Sequence, residues 1–167
     1  MPGDAPALQR LHDRCSDRSI ELRFLGHLGR LSDRKAARLA RPEDGDRLAL
    51  AAVDPGRPDE IVAVVRFERE AGGETAEYAA LVEDRWQGVG LGQALTDLLM
   101  EAARDRGIRR LHALGAPGNE RMLRLLRGLG LPTTRVGREE GAELLEVDLG
   151  DPWGPGGLGR VDSSRLG

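Results

Sequence analysis

Between an extended run and a long amphipathic segment, residues Trp86 to Gly92 read W-Q-G-V-G-L-G. Three alternating glycines at a strand-to-helix junction constrain this chain more than any other feature. The first turn of a helix leaves its amide N–H groups without internal partners, and the helix dipole adds partial positive charge there, so such a turn cradles phosphate. The spacing narrows the ligand. A dinucleotide turn needs G-x-G-x-x-G, but the third glycine position after Gly88 and Gly90 is Gln93, and the Gly-Lys-Ser/Thr ending of a P-loop is absent. What remains is Gln87-x-x-Gly90-x-Gly92.

Around that turn the pattern alternates helix and strand. Short helices are expected over Ala5 to Cys15 and Ser19 to Leu28, and a third, capped by Ser32-Asp33, through Leu39. Two apolar runs, Arg47 to Val53 and Glu60 to Glu68, flank Asp54-Pro55-Gly56-Arg57-Pro58 and read as an antiparallel pair. Thr75 to Val82 reads as the next strand. The segment Leu91 to Arg106 then places Leu91, Ala94, Leu95, Leu98, Leu99, Ala102 and Ala103 on one helical face, with Gly107 set to end it. Leu111 to Leu114 returns as a buried strand. A helix opens at Asn119, and Thr133 to Val136 with Glu143 to Leu149 close the sheet around a turn from Gly137 to Gly141. The fold class is α/β, a central mixed sheet flanked by helices.

The Q-x-x-G-x-G turn in this setting resembles the pyrophosphate-binding motif of the GNAT superfamily of acyl-CoA N-acyltransferases. Gly118-Asn119-Glu120-Arg121-Met122-Leu123, closing at Gly128-Leu129-Gly130-Leu131, is similar to that family's second CoA-contacting segment. The resemblance runs in order from Ser19 to Leu149. Within the superfamily, Ser19 to Leu25 (S-I-E-L-R-F-L), Ala76 to Gly92 and Asn119 to Leu123 (N-E-R-M-L) resemble the Pat-type bacterial protein lysine acetyltransferases. The extra regulatory or synthetase-like domain many of those enzymes carry has no counterpart in this sequence.

The resemblance implies acetyl-CoA as acyl donor and a primary amine, most of all a protein lysine, as acceptor. Gln87, Gly88, Val89, Gly90, Leu91, Gly92 and Gln93 would supply amides to the pyrophosphate. Leu81 and Val82 would pair with the pantetheine chain as a peptide pairs with a sheet edge, and one of their amides would hold the developing oxyanion. Asn119 and Met122 would complete the cofactor contact, Asn119 serving also as a helix cap. Glu77 takes the place of the general base, because an ammonium must lose its proton before it can attack a thioester. The other reading of Glu77 is a solvent-facing strand residue paired with a cross-strand arginine, with Glu74 and Glu83 as substitutes for the base. Many family members place a tyrosine seven residues after the asparagine to protonate the leaving thiolate; here that position is Leu126, and the one tyrosine, Tyr78, stands on a different element. A small-molecule amine acetyltransferase and a non-catalytic acyl-CoA sensor are the competing functions.

Composition sets the outer bounds. At 167 residues one domain over 1–150 is expected, followed by a Gly/Pro-rich tail over 151–167 too poor in apolar residues to order itself. Aromatic residues are 3% of the chain, so the core is aliphatic. With 25 basic and 28 acidic residues the net charge of −3 disfavours nucleic-acid binding. His12, His27 and His112 lack metal spacing, and the single Cys15 rules out both an internal disulfide and a cysteine metal site. No metal is expected. No apolar run approaches the length of a membrane span, and no basic, apolar leader opens the sequence, so a cytoplasmic location is expected. Arg121, Arg124 and Arg127 recur every third residue on the second helix, as a solvated face does, with contact to a 3′-phosphate as the alternative.

Overall fold

The computed structural model describes residues 4–24, 31–41, 43–139 and 141–150. Three helices come first, α1 (Ala5–Arg14), α2 (Asp17–Phe24) and α3 (Asp33–Leu39), followed by β1 (Arg47–Asp54), β2 (Arg57–Arg69) and β3 (Thr75–Val82). A short 3-10 turn, Asp84–Trp86, leads to α4 (Leu91–Asp105), β4 (Arg110–Gly115), α5 (Glu120–Gly128), β5 (Thr133–Glu139) and β6 (Ala142–Asp148). The end of the expected second helix and the 151–167 tail lie outside the described residues.

The six strands form one sheet in the order β1-β2-β3-β4-β6-β5. All neighbours are antiparallel except β3 and β4, which run parallel because α4 carries the chain back between them. One face packs against α4 and α5: Ala63, Val65, Phe67, Ala76 and Tyr78 of the sheet meet Leu95, Leu99, Met100, Ala103, Leu123 and Leu126. The other face meets the N-terminal helices through Leu8, Leu11, Ile20, Leu31, Ala36, Ile61 and Leu81.

Several boundaries differ from the expectation for local reasons. The β1–β2 connection is a tight turn at Pro55 and Gly56, where Asp54 Oδ1 accepts the Gly56 amide at 2.9 Å, so β2 starts at Arg57 and Pro58 falls within its first residues. Gly137 lies inside β5, whose register shifts between Arg135 and Gly137, so the reversal comes after it.

The buried stripe of α4 is also rotated from the one expected. Leu98 is 57% exposed and Ala94 is exposed, while Thr96 and Met100 are buried. A polar–apolar pattern assigns threonine to the solvent, yet the Thr96 hydroxyl is satisfied internally and goes inside. The helix ends as expected at Gly107 (φ +74°), with the Gly107 amide on the Arg104 carbonyl at 2.8 Å and the Ile108 amide on the Ala103 carbonyl at 3.0 Å.

Candidate active site

The site begins where β3 and β4 part. Their parallel ladder runs from Thr75 opposite Arg110 to Tyr78 opposite Ala113 and stops there. Beyond it, β3 stays with β2 and β4 stays with β6, which leaves a wedge in the sheet. The Glu83 amide bonds the Val62 carbonyl at 2.9 Å, and backbone groups alternate sides along a strand, so Leu81 also faces β2. Ala80 and Val82 therefore turn their amide and carbonyl groups into the wedge.

The glycine turn closes the open end. Gly88 and Gly90 have φ of +75° and +86°, the left-handed region in which a β-carbon is costly. Gly92 has no such backbone requirement: a β-carbon there would stand 3.4 Å from Val82 Cγ2 and 3.5 Å from Leu125 Cδ1, at van der Waals contact. Gly90 is the N-cap of α4 and offers no side chain to the first-turn amides, which stay available to a ligand. Gln87 locks the turn to the strand, its Nε2 donating to the Val82 carbonyl at 2.8 Å and to Ser19 Oγ at 3.2 Å.

Turn, wedge and α5 enclose a cavity of about 690 Å³, a size suited to a large small-molecule ligand. Of the residues expected to bind cofactor, Leu81, Val82, Gln87, Gly88, Gly90, Gly92, Gln93, Asn119 and Met122 line it. Val89 does not; it stands at the tip of the turn, 66% exposed. Leu91 packs instead on the α4–α5 core. Asn119 caps α5, its Oδ1 accepting the Met122 amide at 3.1 Å. Ser19, Ala80, Asp84, Trp86 and Leu125 also line the cavity, with no signal in the sequence that they would, and so do Arg121 and Arg124, whose three-residue spacing carries a 3′-phosphate contact as its alternative reading.

Asp84 joins the N-terminal helices to this site. Its carboxylate accepts the Ser16 amide at 2.8 Å, the Ser16 hydroxyl at 2.7 Å and the Ser19 hydroxyl at 3.0 Å. Burial works to raise its pKa, but those three donors together hold it below the ordinary carboxylate range. Nearby, burial first and then the charges of Asp84 and Glu83 push the Cys15 thiol up to about 12, which leaves it without thiolate at neutral pH.

Glu77 does not line the cavity. It is exposed on β3, three residues before Ala80, on the face that also carries Leu81. Its register partners are Glu68 on β2 and His112 on β4, not an arginine, and Arg66, one strand residue pair away, lies within electrostatic reach. No ion pair to Glu77 forms among the described residues. His112 is held on both sides, Nδ1 to Glu70 and Nε2 to Glu146, each at 3.0 Å. The two substitutes for Glu77 are engaged elsewhere. Glu83 is buried and bonds Arg14 Nε at 2.9 Å and Arg85, while Glu74 pairs with Arg109 at 3.1 Å at the opposite end of β3.

A sheet wedged open beside a glycine-rich helix start, with a cavity reaching both, is the architecture of an acyl-CoA-binding transferase. A model of the acetyltransferase (GNAT) family matches residues 10–131. Among solved structures, the GNAT domain of S. lividans PAT is 34% identical, with a TM-score of 0.77 over 87% of this chain and 85% of its own. The yncA protein of Salmonella typhimurium, determined with its cofactor acetyl-CoA, is 19% identical, with a TM-score of 0.67 over 93% and 94% of the two chains. A GCN5-related N-acetyltransferase from Kribbella flavida is 16% identical, also at 0.67, over 89% and 94%. The chain belongs to the GNAT acetyltransferase family. It is an acyl-CoA-dependent N-acetyltransferase with acetyl-CoA as acyl donor.

Proposed function

We propose that this enzyme moves acetyl from acetyl-CoA to the side-chain amine of a protein lysine, with Glu77 as general base, in the cytoplasm. The observation that carries the reading is the placement of Glu77. It is an exposed carboxylate on the strand that runs into the cofactor wedge, on the face turned away from the α4–α5 core, with no ion pair among the described residues to occupy it.

In this reading the Gln87 amide is taken by the Asp84 carbonyl at 3.2 Å, the amides from Gly88 to Gln93 hold the pyrophosphate, and Ala80 and Val82 hold the pantetheine by main-chain bonds. The Val82 carbonyl is taken by Gln87, which leaves the Val82 amide and both groups of Ala80 for that task. Glu77 removes the ammonium proton, and since Ala80 is ~10 Å along the strand at the usual rise, the transfer passes through water. A wedge amide meets the oxyanion as the amine attacks the carbonyl carbon. The thiolate leaves without a tyrosine on α5: that position is Leu126, fully buried in the core. Likeness to the S. lividans PAT domain agrees with the Pat-type resemblance of the sequence, and it is that resemblance which implies the lysine acceptor.

The test is acetylation of a deacetylated bacterial lysate by the wild type and by Glu77→Gln, with new acetyl-lysines mapped by mass spectrometry. Site-selective acetylation by the wild type alone supports both the acceptor and the base. Equal acetylation by the two proteins removes Glu77 from the mechanism. If neither gains over a blank, while both bind acetyl-CoA, the acceptor is a small amine or the domain is a sensor.

A further inference from the structure

Tyr78 and Thr96 lie in the core between the strand of Glu77 and the helix of the cofactor turn, 2% and 0% exposed. Their hydroxyl oxygens are 2.8 Å apart, and Thr96 Oγ1 is 2.6 Å from the Gly92 carbonyl. A carbonyl only accepts, so the one Thr96 proton goes to Gly92, and Tyr78 must donate to Thr96. The bonds therefore run in one direction, from Tyr78 through Thr96 to Gly92. This also commits the hydroxyl proton of the one tyrosine to the core.

Two hydroxyls are a poor way to fill this space if stability alone is at issue. The other buried side chains of α4 are Leu95, Leu99, Met100 and Ala103, and a buried hydroxyl is tolerable only when paired. Threonine is also a weaker helix former than leucine or methionine. What the chain of bonds supplies is location. The N-cap of α4 is Gly90 at φ +86°, whose carbonyl accepts the Ala94 amide at 3.0 Å but which contributes no capping side chain, so no side chain at the cap fixes the first turn. Thr96 reaches back to Gly92 from one turn below, and Tyr78 ties that contact to β3.

We propose that Tyr78 and Thr96 are positioning residues that hold the first turn of α4, and so the amides of Gly92 and Gln93, in the orientation that binds acetyl-CoA. The inference rests on the Gln87–Gly92 turn being the pyrophosphate cradle. It assigns a buried strand residue, adjacent to the base but on the opposite face, to cofactor affinity.

The experiment is calorimetric titration of acetyl-CoA into the wild type, Tyr78→Phe, Thr96→Val, Thr96→Ser and Val147→Ala, with melting temperatures for each. Val147 is a buried residue of the same core on β6, outside the cavity. Loss of one oriented hydrogen bond should weaken binding ~5- to 10-fold in Tyr78→Phe and Thr96→Val. Thr96→Ser, which keeps the hydroxyl, should return to within about twofold of the wild type. Val147→Ala should melt earlier yet bind normally. Wild-type affinity in Tyr78→Phe, or an equal loss in Val147→Ala, would overturn the proposal. A wild type that binds no acetyl-CoA would instead overturn the cradle on which it rests.

Discussion

The side-chain amide of Gln87 sits on the Val82 carbonyl at 2.8 Å, bridging the last residue of β3 and the first residue of the glycine turn. That carbonyl points into the wedge and would otherwise compete for the ligand's own donors. Gln87→Ala frees the carbonyl and loosens the turn, so acetyl-CoA should bind ~5-fold more weakly, the worth of about one hydrogen bond. Gln87→Glu adds a negative charge beside the cradle and removes the donor, so its loss should be larger. Titration calorimetry checks both, and an alanine variant that binds normally would show that the bridge is incidental.

The three glycines of the turn should not respond alike to a methyl group. At Gly90 the left-handed backbone makes Ala cost ~1–2 kcal/mol and pulls the α4 amides out of line. At Gly92 the backbone is ordinary, and the added carbon meets Val82 and Leu125 at van der Waals distance. Gly92→Ala should therefore melt within a few degrees of the wild type, and Gly90→Ala clearly below it. Thermal unfolding monitored by circular dichroism separates them; equal losses would mean that contact, not conformation, sets the requirement.

What the sequence discloses about this molecule is what depends on neighbours along the chain. Gly88 and Gly90 mark their turn because their φ angles admit little else, and Asn119 marks a helix start because it caps an amide three residues on. Ser19 and Asp84 meet across 65 positions and carry no such local signature. That Leu98 is exposed and Thr96 buried is not legible, because a polar–apolar pattern cannot show that a helix hydroxyl finds its partner on a strand. The neighbours of Glu77 follow from strand register, which alternation alone leaves open, and so Glu68 and His112 stand where an arginine was considered.

Arg121 and Arg124 line the cavity from α5, whereas Arg127 on the next turn does not. An exposed guanidinium at a cavity rim offers charge and donors to a phosphate, with an interaction that salt weakens. Arg121→Ala and Arg124→Ala should lower acetyl-CoA affinity ~3- to 10-fold at low ionic strength and leave acetyl-dephospho-CoA, which lacks the 3′-phosphate, unaffected. Arg127→Ala should match the wild type with both donors. Equal losses with the two donors would place these arginines on some other part of the cofactor.

Asp84 gives the N-terminal helices a pH-dependent hold on the site. Burial opposes its ionised form, but the Ser16 amide and the Ser16 and Ser19 hydroxyls outweigh that and keep its pKa lowered in the folded protein. A carboxyl that binds its proton less readily folded than unfolded adds stability that is complete above the unfolded value, ~3.9 for aspartate, and is lost as pH falls through the folded value. Asp84→Asn should thus melt below the wild type by a constant margin from about pH 6 to pH 8, and the margin should shrink below about pH 4 as the wild type loses the same charge. Ser19 bonds both Asp84 and Gln87, so in the same acid range the wild type should also bind acetyl-CoA less tightly, through a looser turn. Melting curves of both proteins from pH 3 to pH 8 decide the matter; a margin that persists undiminished at pH 3 would mean that Asp84 acts by shape and not by charge.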